Sequence, residues 1–445
     1  MSAEVEVAIV GAGLAGLFVA AELRERGINE IVVLDAADVP GGLLKSVEED
    51  GFILEPAAGS FLLPHPVLSK GFAQLGAEVV PAAPCASTRF VFTRGRLVEI
   101  KPTPKAVFAP VVSWPAKFRG LRELRMPRPG DAELDESLED FLVRRFGREL
   151  GSLGAKLAAS GVFAGDPKQL SASAAFPMLT GLEDQFGSVL AGIRARMKQR
   201  PATVPKPQTH VPVGSMANLA REAATTFGDH VQLGARVDAI AREGDTWQVT
   251  AAHEYRAKHV VLAIDPIDTA ALVGGELGDL LSQMTYAPVA AVGLGGTASE
   301  VPLPSGFGVL PGHDEPLPTR GVLFESSYAP HRAQPGNALA KIIMGGSGYE
   351  SILDGDDASL VERALRDSNR MLGRTLEPSF TRVVRHPRGI PQYNTGHAKW
   401  RSQVESLVDN QPGLHLGGWG FHGVGVAHLA ADAQRICARI SQPTP

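Results

Sequence analysis

The chain opens on a short apolar run, Val5 to Val10, that passes directly into Gly11-Ala-Gly13-Leu-Ala-Gly16 and then into residues with helical spacing. An apolar run of this length reads as a buried strand, and strand, Gly-rich turn and helix in that order predict a dinucleotide-binding βα unit. A second apolar run, Ile31 to Leu34, ends on Asp35. Helical spacing returns over Leu138 to Leu150 and Ser171 to Ile193, separated by the Gly- and Ala-rich Ala158 to Asp166. After a Pro-rich linker, Pro201 to Pro207, Pro212-Val-Gly-Ser-Met216 leads into another helix, and Val231 to Arg242 and Trp247 to Thr250 read as strands. The continuous apolar run Val260 to Ile264, stopped by Asp265-Pro266, predicts a return to a buried parallel sheet. From Val289 the pattern changes to short separated strands: Val289 to Gly293, Gly306 to Leu310, Gly321 to Phe324 and Ala338 to Met344. These predict a sheet roofing a pocket. A last strand, Leu414 to Leu416, a Gly-rich stretch from Gly417 to Val426 and a helix to Ile440 close the chain, and no internal repeat is evident.

The fold class predicted is α/β. A discontinuous Rossmann-like nucleotide domain takes residues 1–88, 205–266 and 386–445, a helical insert takes 89–204, and a mixed-sheet substrate domain takes 267–385. With 445 residues, of which 44% are apolar, the chain has enough hydrophobic material for several lobes.

The glycines have separable tasks. Gly11 permits the tight turn, Gly13 lets backbone N–H groups approach a pyrophosphate, and Gly16 allows the helix to pack closely on the strand. Asp35, about 20 residues further on, is placed to accept hydrogen bonds from a ribose 2′-hydroxyl, which disfavours NADP. A second pair, Gly41-Gly42, followed by Gly51-Phe-Ile-Leu-Glu55, resembles the extended signature of FAD enzymes of the amine-oxidase and porphyrinogen-oxidase superfamily.

Charge changes the picture locally only. A net charge of −5 leaves no global basic excess for a nucleic-acid partner. Yet Lys101, Lys105, Lys117, Arg119, Arg122, Arg125 and Arg128 are interleaved with Phe108, Val111, Val112, Trp114, Phe118 and Leu121, opposed only by Glu123. Such a segment suits an anionic lipid surface, a cover over a pocket, or extra substrate carboxylates. The acidic stretch Asp131 to Asp140 reads as the N-terminal turn of the next helix. Cys85 and Cys437 have no metal or dithiol spacing and read as buried thiols, so no metal site is expected. No secretory signal or membrane span is visible, which gives a cytoplasmic expectation with peripheral contact at the membrane's inner face.

Several separated segments together are similar to the protoporphyrinogen oxidase family. They are Gly161-Val-Phe-Ala-Gly-Asp-Pro-Lys-Gln-Leu-Ser171, Ala175-Phe-Pro177, Leu182-Glu183 with Gly187-Ser-Val-Leu190, Pro212-Val-Gly-Ser-Met216, Gly321-Val-Leu-Phe-Glu-Ser-Ser327 leading to Arg332, Ile390-Pro-Gln-Tyr393 with Gly396-His397, and Gly423-Val-Gly-Val426. The resemblance implies a non-covalent FAD enzyme of haem synthesis that removes hydrogens from a porphyrinogen, protoporphyrinogen or coproporphyrinogen. O2 would be the acceptor, H2O2 the by-product, and a ferrochelatase the recipient of the porphyrin. It implies FAD contacts at Gly11, Gly13, Leu14, Ala15, Gly16, Asp35, Ala36, Gly41, Gly42, Val237, Trp419, Gly423, Val424 and Val426. It implies a substrate-propionate contact at Arg89 and pocket-lining positions at Gly165, Leu310, Ala329 and Met344. No catalytic side chain is needed, because the flavin carries the chemistry. Tyr393 and His397 are expected to pack beside the flavin, and His422 to approach it. Two segments depart from the family pattern: Glu55-Pro-Ala-Ala-Gly59, where a polar residue is common in place of Gly59, and Gly417-Gly-Trp419. The first opens the question of a lost substrate contact. The remaining rivals are a flavin amine oxidase, whose Gly-Glu before the last helix is missing here, a desaturase of specialised metabolism, and a non-catalytic FAD or tetrapyrrole carrier.

Overall fold

In the computed structural model, which describes residues 3–101, 103, 108–126, 135–201, 203 and 205–442, two seven-stranded sheets organise the chain. The strand Ala3–Val10 lies at the heart of the first sheet, parallel to Ile31–Leu34 on one side and to Glu254–Leu262 on the other. Leu414–Leu416 and Val231–Gln232 extend the parallel pairing, and Thr246–Thr250 and Ala239–Glu243 add an antiparallel edge. Both faces are covered, which is why Val7, Ala8 and Ile9 have no exposed surface. Helices Leu14–Glu25, Pro66–Leu75, Met216–Thr225 and Val426–Ile440 bury Leu17, Phe72, Leu219 and Ile436 against one face. Helices Pro266–Val273, Gly275–Leu281 and His397–Asp409 bury Ala270, Leu277 and Val404 against the other. Residues 267–281, expected in the substrate domain, therefore belong with the nucleotide lobe.

The second sheet runs in the order Phe380–Pro391, Tyr286–Thr297, Asn337–Gly345, Thr319–Leu323, Gly308–Pro311, Arg89–Thr93 and Arg96–Ile100. Its last two strands correct the expected boundary of the helical insert, because residues 89–100 pair into the substrate lobe. Phe380–Pro391 crosses the expected boundary at 386 for the same reason: a strand of this length is defined by its pairing with Tyr286–Thr297. One face packs on the helix Asp357–Leu372, whose Leu360, Ala364 and Met371 meet Val292, Ile342 and Met344. The opposite face looks toward the nucleotide lobe.

The insert is helical, but in shorter pieces than periodicity suggests. Leu138–Phe146 stops at Gly147, where φ is 82°, before Arg148–Ala158 begins. Ser137 caps the first of these, with Glu139 and Asp140 in its opening turn, as the acidic stretch predicts; positions 131–134 lie outside the described residues, as do Lys105 and Arg128 of the basic segment and 202 and 204 of the linker. The expected Ser171 to Ile193 helix divides at Pro177 and Gly187 into Ala172–Ala175, Pro177–Phe186 and Val189–Gln199. Among the described residues no helix is long and apolar enough to cross a membrane.

Candidate functional site

Strand, turn and helix meet at the mouth of a cavity of about 570 Å³, lined by Gly11, Gly13, Leu14, Ala15, Asp35, Gly41 and Gly42. A Cβ on Gly16 would lie well under 3 Å from the Gly11 carbonyl oxygen and 3.1 Å from its carbon, so the helix can start this close to the strand only with glycine there. Gly16 itself sits behind the cavity. The helix Leu14–Glu25 has no side-chain cap and no acid in its first turn, which leaves its leading amides and positive end for an anionic ligand. The Asp35 carboxylate is held at the rim by the N–H groups of Ala12, at 2.6 Å, and Ala37, at 2.8 Å. One oxygen takes each bond, so both keep acceptor capacity for ribose hydroxyls. The amide of Gly41 donates to Ala12 O at 2.9 Å and fixes the second glycine pair beside the first turn. Ala36 is exposed next to Asp35, and Val237 is buried with Val10 and Leu34 rather than lining the cavity.

The C-terminal Gly-rich segment forms the facing wall. Buried Asp432 on the last helix accepts the Gly418 N–H at 3.1 Å. The Tyr393 hydroxyl accepts the Gly423 N–H at 2.8 Å and donates to the Trp419 carbonyl. Trp419 lines the cavity, and its buried Nε1–H has no partner in the protein, a donor left for a ligand. His397 stacks on Tyr393 with ring centroids 4.0 Å apart. Burial pushes His397 down to about 4, so it is neutral near pH 7, and it touches neither cavity. His422 lies 3.1 Å from both Glu405 and Asp432, tying the Gly-rich segment to two helices instead of facing the cavity. Val426 begins the last helix, buried, and Val424 and Gly425 turn toward a second cavity. An unsatisfied donor, an uncapped helix N-terminus and a glycine-lined turn that leaves its backbone open to the cavity at Gly13 together fit FAD.

The second cavity, about 350 Å³, shares Leu43, His386, Gly389, Pro391 and Trp419 with the first. Leu310, Leu323, Ile343 and Ile390 supply apolar surface, and Ser160, Arg320, Lys341 and His386 supply polar groups. No Asp or Glu lines it. Leu310 is among the lining residues. Met344, expected there as well, is not: Lys341 and Ile343 face the cavity, and alternation along the strand turns Met344 into the core beneath the helix Asp357–Leu372. Ala329 packs with Ala86, Val211 and Tyr328 away from the cavity, and Gly165 is backed by Gln392 and Leu170 beside lining residue Ala164. Arg89 lies over the Phe307 ring, 3.9 Å from its centroid, and donates to the Ala86 carbonyl; it lines neither cavity.

Buried charge accounts for the Gly59 departure. Glu325, with no exposed surface, pairs with Arg332 and, at 3.1 Å, with Lys341. Lys341 also donates to the carbonyls of Glu55, at 2.6 Å, and Ala57, at 3.1 Å. Arg332 donates to the Gly59 carbonyl, and a Cβ on Gly59 would stand 3.1 and 3.2 Å from its two Nη atoms. Gly59 therefore makes room for Arg332, and Pro56, Ala57 and Ala58 line the cavity instead. Sequence reasoning missed Arg320, Lys341 and His386. Lys341 had a signal, a lysine inside the apolar run Ala338 to Met344; Arg320 and His386 had none.

The family described as flavin-containing amine oxidoreductase matches residues 14–440. Chloroplastic protoporphyrinogen oxidase 1 of Spinacia oleracea is 30% identical over 97% of this chain and 83% of its own length. Coproporphyrinogen III oxidase of Bacillus subtilis is 26% identical over 94% of each chain. Among solved structures, a provisionally named protoporphyrinogen oxidase of Exiguobacterium sp. 255-15 shares the fold, with a TM-score of 0.80 over 99% of this chain and 100% of that one at 23% identity. The chain belongs to the flavin-containing amine oxidoreductase family and is an FAD-dependent oxidoreductase.

Proposed function

We propose that this enzyme oxidises a porphyrinogen to the porphyrin in haem biosynthesis, protoporphyrinogen IX to protoporphyrin IX or coproporphyrinogen III to coproporphyrin III. The observation that carries this reading is the sign of the second cavity. Its lining holds buried Arg320, which has no ion-pair partner among the described residues, beside Lys341, which Glu325 pairs from behind, and among those residues no carboxylate lines it. A positive, acid-free pocket attracts a carboxylated substrate and opposes the ammonium of an amine. That separates the proposal from an amine oxidase with the same fold, and the names of the spinach and Bacillus relatives support it.

Bound FAD supplies the two-electron acceptor, and O2 is the proposed final oxidant. In three two-electron oxidations six hydrogens leave the macrocycle, and each oxidation is matched by one O2 reduced to H2O2. The protein positions and shields. Leu310, Leu323, Ile343 and Val424 offer flat apolar walls for a macrocycle, and the shared boundary at His386 and Trp419 brings the two cavities into contact. Aerobic turnover of the flavin-loaded protein with each porphyrinogen, followed by porphyrin fluorescence and peroxide, tests the reading. Porphyrin formation on one of them is expected; bound flavin with no porphyrin from either would leave a desaturase or a carrier in its place.

Peripheral membrane contact is part of the proposal. Phe108, Trp114, Phe118, Leu121 and Leu124 are 64, 52, 66, 58 and 48% exposed, beside exposed Arg122 and Arg125. Glu123, the acid that opposes this segment in sequence, is buried and caps the helix Val189–Gln199 through its bonds to Ser188 and the Val189 N–H. The surface is thus more basic than the sequence implies, and apolar groups flanked by arginines suit an anionic lipid interface. Gly161 and Val162, on the same insert, are exposed where they line the substrate cavity. In flotation with vesicles, phosphatidylglycerol is expected to carry the protein up and pure phosphatidylcholine to leave it below. A Trp114→Ser/Phe118→Ser variant should lose flotation and keep its turnover; equal flotation of the variant would remove this surface from the proposal.

A further inference from the structure

Arg320 occupies an unusual place. It is 2% exposed, yet no carboxylate stands within ion-pair distance among the described residues. The strand Thr319–Leu323 carries a β-bulge: Thr319 pairs with Met344 and Gly321 with Ile343, so Arg320 is the extra residue. Bulges re-aim side chains, and this one sends Arg320 to the cavity face while Thr319 bonds Asp367 on the opposite side at 2.8 Å. Backbone carbonyls hold the guanidinium in place. Nε donates to Gly345 O at 2.6 Å and Nη2 to Ser347 O at 2.5 Å, which leaves Nη1 without an acceptor among the described residues. Close approach to this loop is possible because residue 346 is glycine, with φ 77°; a Cβ there would stand 2.9 Å from the Arg320 Nε.

Glu350 and Asp166 act on Arg320 only from beyond ion-pair distance, and the Tyr349 ring centroid lies 5.2 Å from it; a fixed, buried cation without an ion-pair partner beside an apolar wall is an arrangement that a ligand carboxylate completes. Lys341 cannot take that part, since Glu325 already neutralises it. Arg89 cannot take it from where it lies, outside the cavity.

We propose, resting on the porphyrinogen reading, that Arg320 is the carboxylate anchor of this enzyme: its Nη1 binds one propionate of the substrate. The chemical class selected is a macrocycle that carries a carboxylate at its edge. Arg320 is a binding residue, so its loss acts on substrate capture and orientation, with the flavin undisturbed.

The test compares wild type, Arg320→Leu, Arg320→Lys and Arg89→Ala, all loaded with FAD, on protoporphyrinogen IX and on its dimethyl ester. A charge-assisted hydrogen bond lost from a buried site corresponds to about a ten- to hundredfold rise in KM. That rise is expected for Arg320→Leu on the free acid, with partial recovery in Arg320→Lys and none of it in Arg89→Ala. On the diester, wild type and Arg320→Leu should coincide, because the partner charge is gone. Flavin absorbance and melting temperature report whether each variant is folded; if Arg320→Leu fails that check, Arg320→Lys, which keeps charge and bulk, carries the comparison with the diester. A wild type inactive on both of these and on coproporphyrinogen III would sink the porphyrinogen reading itself. An active wild type whose free-acid KM is unchanged by Arg320→Leu, or raised by Arg89→Ala instead, would overturn the anchor while leaving that reading in place.

Discussion

Gly13→Ala and Gly16→Ala, three residues apart in one motif, are expected to fail in different ways. At Gly16 the added methyl has nowhere to go: the Gly11 carbonyl is backbone, held by the turn between strand and helix, and cannot swing aside. Either the helix Leu14–Glu25 lifts from the sheet or the turn distorts, and overpacking of this severity costs on the order of 3 kcal/mol or more. At Gly13 a methyl would find nothing closer than Gly42 Cα at 3.8 Å, and φ is an ordinary −71°. Its only obstacle is what occupies the cavity. Gly13→Ala should therefore fold with near-normal resistance to urea and lose FAD, visible as loss of the flavin band after purification and a weakened Kd on titration with FAD. Gly16→Ala should lose both flavin and stability. If Gly13→Ala kept full flavin, the pyrophosphate would not lie over this turn, and the assignment of the larger cavity would be wrong.

That contrast also marks what was legible in the sequence. The nucleotide lobe was readable because each signal was local and redundant: the buried run Val5 to Val10, the glycine spacing, Asp35 after Ile31–Leu34, and the pair Gly41-Gly42 all fall within one supersecondary unit. Backbone geometry dictates residue type there, so residue type reveals geometry. The substrate lobe obeys longer-range rules. Whether Met344 or Ile343 faces the cavity depends on register across three strands, and a slip of one residue exchanges the faces. Arg320 reaches the cavity through a bulge, and nothing in Pro318-Thr-Arg-Gly-Val322 announces it. Arg89, by contrast, had a plausible local setting at a strand start, and its side chain was captured by Phe307, a residue more than two hundred positions away. Helix breaks at Gly147 and Pro177 were visible as letters and were outweighed by periodicity.

The largest loss of stability is expected from Glu325→Gln. Glu325 carries the negative charge between two buried cations, Arg332 and Lys341, neither of which has water to turn to. Burial alone would raise its carboxyl, but Arg332 and then Lys341 outweigh that and hold it below the ordinary value of 4.5. The carboxylate thus contributes stability that is fully present above that value and is lost as pH falls through the lower, folded-state value. Replacing the carboxylate with an amide leaves Lys341 on the Glu55 and Ala57 carbonyls alone and Arg332 with only the Glu55 charge nearby, in a region without solvent, which corresponds to about 3–5 kcal/mol. Urea unfolding at pH 7 should show a midpoint shift of that size. The deficit should shrink in acid, where wild type loses the same charge. Removing the three together in Glu325→Leu/Arg332→Leu/Lys341→Met should be less damaging than removing Glu325 alone, since no buried cation is then left without its carboxylate, although buried Glu55 loses the Arg332 charge beside it. The triple variant would nonetheless change the site. It would lift Lys341 from the Glu55 and Ala57 carbonyls, which it holds at the wall of the substrate cavity, and empty the space that Gly59 leaves for Arg332. A triple variant that is stable but slow would place the role of these charges in shaping the segment Glu55–Gly59 over the flavin side of the pocket. A single variant as stable as wild type would show that one of the two cations finds another acceptor, and the account given for Gly59 would fall with it.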